Sequence, residues 1–316
     1  MRVVDVSEPE SALDSGLLGV PVVAVGSLAG ASEFWLQRAT FTLTEDDADD
    51  PRVIAVASID AALRDLTARA DRWPIAAATC DDVLRSVDPA APALSGVVTE
   101  SLAYSTLQAG PEFARWLADR GPAVMPDIAD PVQAHRDGDT LRIAFNRPQR
   151  HNAFSTDARA ALLEALAVAQ LDSSVAEVVL TGNGPSFCSG GDLDEFGTFA
   201  DPASAHLART RYSPALALDA VTSRLGAACR AQVHGQVLGS GLEMAAFCGR
   251  VDSAPDTVFG LPELSLGLIP GAGGTVSVTR RIGRWRTAYL VLSGATLDAD
   301  TALAWGLVDA LRSEAF

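Results

Sequence analysis

Residues His234–Phe247 read HGQVLGSGLEMAAF, and how this stretch is read decides the fold. Around Gly239–Gly241 nearly every side chain is gone. A carboxylate, Glu243, then stands just ahead of the apolar helical run Met244–Phe247. A carboxylate in that place risks a desolvation cost, which chains tolerate for a structural hydrogen bond or for chemistry. Glycines at such a junction leave backbone N–H groups accessible, where the positive end of a helix dipole adds to them. Two readings are open: Glu243 only offsets its own helix, or it moves a proton beside an anion site.

Working outward, the same texture recurs in FCSGGD (Phe187–Asp192), and FGLPE (Phe259–Glu263) brings a second carboxylate on a proline-stiffened turn. Two small-residue loops that follow short strands can aim N–H groups at an oxygen gaining negative charge. Glu243 and Glu263 beside such a hole suit proton transfer next to a carbonyl, through an enolate-like state. Other readings fail. GAGGTVSV (Gly271–Val278) has Val276 in the place of the third glycine of a dinucleotide loop. Phe187 and Leu238 stand where a hydrolase elbow around Ser189 or Ser240 needs its first glycine. Cys188 has no placed base and reads as a small buried thiol.

Composition narrows the classes. The chain has 316 residues, 48% of them hydrophobic, enough for a substantial core. Its net charge of -16 argues against a nucleic-acid surface. All 24 basic residues are arginine, which excludes a Walker-type phosphate loop and a lysine Schiff base. Cys80, Cys188, Cys229 and Cys248 lack metal or disulfide spacing and read as reduced thiols, and the four histidines show no metal spacing. The uncharged Ser15–Ser32 is broken by glycines and Pro21 and follows an acidic start. It reads as a strand plus loop, neither signal peptide nor membrane span, so a cytoplasmic protein is expected.

An α/β pattern runs through the chain. VPVVAVGS, TFTLTE and RVIAVAS read as strands, followed by helical stretches near Ala61–Ala70, Ile75–Val87 and Val98–Asp119. GPAVMPDIADP, Gly121–Pro131, reads as a linker between a region 1–125 of unknown role and a region 131–316. Beyond it, VQAHRDGDTLRIAFNRP reads as a hairpin turning at Asp137-Gly138, and Ser155 as the N-cap of a helix through Leu171. A short strand at Ala176–Thr181, a long helix over Ala203–Leu225 and the strand CRAQVHG lead back to the opening stretch. TRRIGRWR, Thr279–Arg286, reads as a basic helix junction, with a phosphate site or an intersubunit contact as alternatives.

Taken together, NRPQRHNAF, GPSFCSGGDLDEF, HGQVLGSGLEMA and FGLPELSLGLIPGAGGT make residues 131–310 resemble the crotonase superfamily, the enoyl-CoA hydratase/isomerase family. The resemblance implies the layered ClpP/crotonase α/β fold, here with an additional N-terminal α/β region. It implies an enzyme of acyl-CoA and fatty acid metabolism, a lyase that hydrates 2-enoyl-CoA to 3-hydroxyacyl-CoA. Alternatives are an isomerase, a hydrolase, a decarboxylase, or a non-catalytic acyl-CoA-binding subunit. By the same likeness Glu243 and Glu263 are the catalytic pair, the backbone N–H groups of Ser189 and Ser240 the oxyanion hole, and Gln149, Arg150, His151, Ser189, Gly190 and Gly191 the CoA border. Arg147 and Arg150 are candidates to meet CoA phosphates, and Asp192 braces its loop. No metal or other cofactor is implied, CoA being part of the substrate, and a homo-oligomer, trimer or hexamer, is expected. Family members commonly have glycine at Ser240 and continue into C-terminal helices that cover the acyl pocket; here Phe316 follows soon after ALAWGLVDAL, and about 130 residues stand in front instead.

Overall fold

The computed structural model describes residues 1–9, 19–124, 129–199 and 201–312. Parts of the expected Ser15–Ser32 strand and of the Gly121–Pro131 linker lie outside them. The chain opens with β1 (Arg2–Asp5), β2 (Val22–Val25), α1 (Glu33–Arg38), β3 (Phe41–Thr44) and β4 (Val53–Ala55). These strands form a parallel sheet in sequence order. The helices α2 (Ile59–Arg72), α3 (Pro74–Ser86), α4 (Ala93–Gln108) and α5 (Pro111–Arg120) follow. The helix expected over Val98–Asp119 is therefore two, because Pro111 cannot continue a helix but starts one well at its first position.

Next come β5 (Val132–Asp137), β6 (Thr140–Phe145), α6 (Thr156–Leu171), β7 (Glu177–Gly182), α7 (Pro202–Arg211), α8 (Pro214–Leu225), β8 (Cys229–Val233), β9 (Gln236–Leu238) and α9 (Ser240–Phe247). Then β10 (Arg250–Ser253), β11 (Val258–Gly260), α10 (Gly274–Ser293), β12 (Thr296–Leu297), α11 (Ala299–Ala304) and β13 (Ala310–Leu311) complete the chain. The β5–β6 hairpin forms with Asp137 opposite Thr140, so the turn residues are Gly138 and Asp139, one position later than expected. Ser155 caps α6 by accepting from Ala158 N–H at 3.2 Å. The long helix expected over Ala203–Leu225 breaks at Ser213, where Pro214 opens α8. A six-stranded sheet runs β13-β10-β8-β7-β6-β5, parallel except for the hairpin, and a small sheet runs β12-β11-β9.

One hydrophobic core runs across both sides of the linker, joining Phe41, Trp73, Leu84 and Leu107 to Ile143, Leu180, Phe259 and Leu290. Alternation in β2 explains how its sheet serves two layers: Val23 faces this core, while Val22 and Ala24 face a small cluster under Trp35 of α1. Arginines pin the regions together. Arg69 donates to Leu292 O at 3.0 Å, Arg280 to Ala91 O at 2.9 Å, and Arg284 to Ala39 O at 3.1 Å. The TRRIGRWR strip is thus an intrachain clamp around a kink at Gly283, whose φ is 79°. Its arginines hold carbonyls and carboxylates of the same chain. All four cysteines are free and buried, and burial pushes Cys188 up to about 12, as fits an inert thiol.

Candidate active site

The FCSGGD and LGSGLE loops lie side by side. Leu238 N–H donates to Cys188 O at 3.0 Å, and Cys188 N–H to Gln236 O at 3.1 Å. Two glycines have steric reasons. A Cβ at Gly241 would stand 2.4 Å from Cys188 O, and one at Gly239, where φ is 48°, would stand 2.6 Å from Glu263 Oε1. Removing those side chains lets the loops close and lets Glu263 lie against the start of α9.

Glu243, in the first turn of α9, is 2% exposed. Its Oε2 accepts N–H bonds from Ala272 and Gly274, each at 2.7 Å. Burial raises its pKa to about 7, with the N–H donors opposing the shift. Glu263 follows Pro262 and is 8% exposed, and its Oε2 has no hydrogen-bond partner. Burial first, then the charge of Glu243, push the Glu263 carboxyl well above the carboxylate range. The pair is therefore asymmetric: donors favour the charged form of Glu243, while Glu263 is the member that keeps its proton.

A third buried carboxylate comes from outside the recognisable motifs. Glu100 of α4 is 1% exposed and accepts from Gly273 N–H at 2.7 Å, Thr275 N–H at 2.9 Å and Thr275 Oγ–H at 2.7 Å. Gly273, at the N-cap of α10, has no side chain with which to satisfy the helix's orphan donors. Glu100 and Glu243 take that role from two other helices. Burial and the charge of Glu243 raise Glu100 to about 8, against its three donors.

Glu243, Glu263, Ser240 and Gly191 line one cavity, together with Tyr104 and Gln108 of α4. The N-terminal region thus walls the site. Of the expected oxyanion donors, Ser240 keeps an N–H without an acceptor among the described residues, and its buried Oγ is also unpartnered. Ser189 does not fit: its N–H already donates to His151 O at 2.9 Å. Gly191, two residues on, has an N–H with no acceptor among the described residues and faces the cavity.

The expected CoA border divides similarly. Gln149 and His151 are exposed, and His151 Nδ1 lies 2.9 Å from Ser186 Oγ. Gly190 is buried against Leu238 and Gly239. Arg150 is not free for a phosphate, since it pairs with Asp192 at 3.0 Å and Asp194 at 2.6 Å. Arg147 is buried and pairs with the other Asp192 oxygen at 2.8 Å. Asp192 is the brace expected of it.

Two N–H groups and an asymmetric carboxylate pair in one cavity, on a crotonase-like scaffold, define a protein suited to proton transfer beside a carbonyl. Residues 136–315 match the enoyl-CoA hydratase/isomerase family, and the chain belongs to it. It is 37% identical over 168 residues to 2,3-dehydroadipyl-CoA hydratase of Escherichia coli, covering 53% of this chain and 64% of that protein. It is 34% identical over 179 residues to the probable enoyl-CoA hydratase echA8 of Mycobacterium bovis, covering 56% and 66%. The chain thus spans less than two thirds of the length of these relatives. The crystal structure of enoyl-CoA hydratase from Thermoplasma volcanium superposes with a TM-score of 0.51 at 33% identity, over 59% of this chain and 73% of that one. Among the described residues no helix is long and apolar enough to cross a membrane.

Proposed function

We propose that the chain hydrates a 2-enoyl-CoA to the 3-hydroxyacyl-CoA. The observation that carries this reading is the unequal bonding of two buried carboxylates in one cavity, Glu243 with two N–H donors on its Oε2 and Glu263 with no partner on its own Oε2. In this reading the N–H groups of Gly191 and Ser240 hold the thioester oxygen as it gains charge. Glu243 takes a proton from water while the water oxygen bonds to the β-carbon, and neutral Glu263 gives its proton to the α-carbon. Proton return between the carboxylates resets the pair. CoA enters as part of the substrate, with Gln149, His151 and the backbone at Ser189–Gly191 at its border, and no other cofactor takes part. Helix α4 of the N-terminal region serves as a wall of the acyl cavity. A homo-oligomer, trimer or hexamer, and a cytoplasmic location go with this reading on family likeness.

The test is the absorbance of the conjugated enoyl thioester on incubation with crotonyl-CoA and longer 2-enoyl-CoAs. A fall that Glu243→Gln abolishes supports hydration. No fall at high enzyme concentration, across chain lengths, overturns it and turns attention to isomerase, hydrolase or decarboxylase substrates.

A further inference from the structure

The cavity that holds Glu243 and Glu263 is also lined by two guanidiniums, Arg159 of α6 and Arg209 of α7. Arg147 and Arg85 meet carboxylates, those of Asp192 and Asp81, and Arg284 holds backbone carbonyls. Arg159 and Arg209 line the cavity with no carboxylate at ion-pair distance among the described residues. Arg209 donates to Gln108 Oε1 at 2.9 Å and Ser101 Oγ at 3.1 Å, and stacks 4.5 Å over the Tyr104 ring. Its remaining acceptors, Ser101 O and Ser105 Oγ, are neutral as well. Arg159 has no hydrogen bond or ion pair among the described residues. The carboxylate on the same cavity wall, Glu195, spends Oε2 on Thr156 N–H at 2.7 Å and Thr156 Oγ–H at 2.9 Å. Burial lowers the pKa of Arg159, with Glu195 and Tyr212 opposing it; burial lowers that of Arg209 too, with Tyr104 and Glu100 opposing it and the charge of Arg159 adding to it.

Two like charges are thus held half-buried with no carboxylate bonded to either among the described residues, in the cavity where the reacting carbonyl would sit. A guanidinium fork matches a carboxylate edge, and the match strengthens as water is excluded. We propose that the acyl group taken into this cavity ends in a carboxylate, which Arg159 binds directly and Arg209 attracts from its fixed position over Tyr104. This names the substrate class of the hydratase reading and rests on that reading. A phosphate of CoA is the other anion that could meet these arginines, and the experiment separates the two.

Affinities of the full chain for adipyl-CoA and hexanoyl-CoA, measured by calorimetry, require no turnover. These ligands share CoA and chain length and differ at the terminal carboxylate. The expected result is adipyl-CoA tighter by about tenfold or more, a preference that Arg159→Gln erases and Arg159→Lys partly keeps. Because the Arg159 side chain has no hydrogen bond or ion pair among the described residues, these variants should fold, and circular dichroism checks that. Equal affinities in the native protein overturn the proposal and leave hydration standing. A loss of affinity for both ligands alike in Arg159→Gln also overturns it, by assigning the arginine to a CoA phosphate. Binding of neither ligand overturns the acyl-CoA reading itself.

Discussion

Glu100 and Glu243 grip alternate N–H groups of a single turn: Glu243 holds Ala272 and Gly274, and Glu100 holds Gly273 and Thr275. A helix that brings no cap of its own is thereby capped from α4 and from α9. The charge needed to hold the turn is the same charge that raises the Glu263 carboxyl, so stability and the proposed chemistry are linked here.

Glu100→Gln tests that link. The amide oxygen keeps one acceptor but presents N–H groups where donors already point, so a loss of about 1–3 kcal/mol is expected. Removing the neighbouring negative charge should also shift the basic limb of the kcat/KM profile to lower pH, since that charge helps to raise Glu263, the proton donor of the proposed reaction. A purely structural role would lower stability and leave the limb in place. Denaturant unfolding and a pH–rate profile read the two effects separately.

Activity should rise with pH through about 7 as Glu243 loses its proton. Glu263→Gln keeps the shape of the acid but cannot give up a proton, and should lower turnover by about 10²–10⁴-fold while acyl-CoA affinity survives. Steady-state kinetics beside a binding titration would check this, and loss of binding with unchanged turnover would count against the role.

Stability carries its own pH signature. Glu263 has an ordinary value of 4.5 and is held well above it in the folded state, and Glu243 is raised to about 7. The folded protein therefore keeps protons that the unfolded chain has released. Its stability is full below about pH 4.5 and falls as pH rises through the folded values, by at most about 1.4 kcal/mol per pH unit for each group. Urea midpoints at about pH 5 and about pH 8 should show the fall. Glu263→Gln should flatten the slope and be the more stable protein at the higher pH.

Asp192→Ala leaves Arg147, which is 3% exposed, as an uncompensated buried charge. A loss of about 3–5 kcal/mol is expected, read as a drop in the denaturant midpoint. Asp192→Asn should cost less, since it keeps one acceptor for the guanidinium.

Gly239→Ala places a methyl 2.6 Å from Glu263 Oε1 on a backbone with φ of 48°. The strain should cost about 1–3 kcal/mol, and displacement of Glu263 should lower turnover more than affinity. Thermal melts and kinetics check both parts.

Much of this was legible locally. Glycines beside Glu243, the proline before Glu263 and the serine cap of α6 act within a few residues, so their spacing carries the information. Pro111 and Pro214 were signals for new helices that an unbroken apolar rhythm concealed. Glu100 was not legible, because its partners lie across most of the chain and no local pattern marks a carboxylate as a remote cap. The difference between Ser189 and Gly191 was hidden for a related reason. Whether an N–H is free depends on which carbonyl turns toward it, and the one from His151, itself at a φ of 49°, arrives from another loop. No local pattern marks Arg159 and Arg209, which packing places on one cavity.

The reach of Glu100 also bears on the order of events during synthesis. When α4 leaves the ribosome, the turn it will cap has not yet been translated, and its carboxylate must stay hydrated until Gly273–Thr275 emerge. Closing so long a loop is entropically expensive and slow. The proposed reaction centre is therefore among the last parts of the molecule to be assembled, and a nascent chain holds an unfinished cleft until α10 begins.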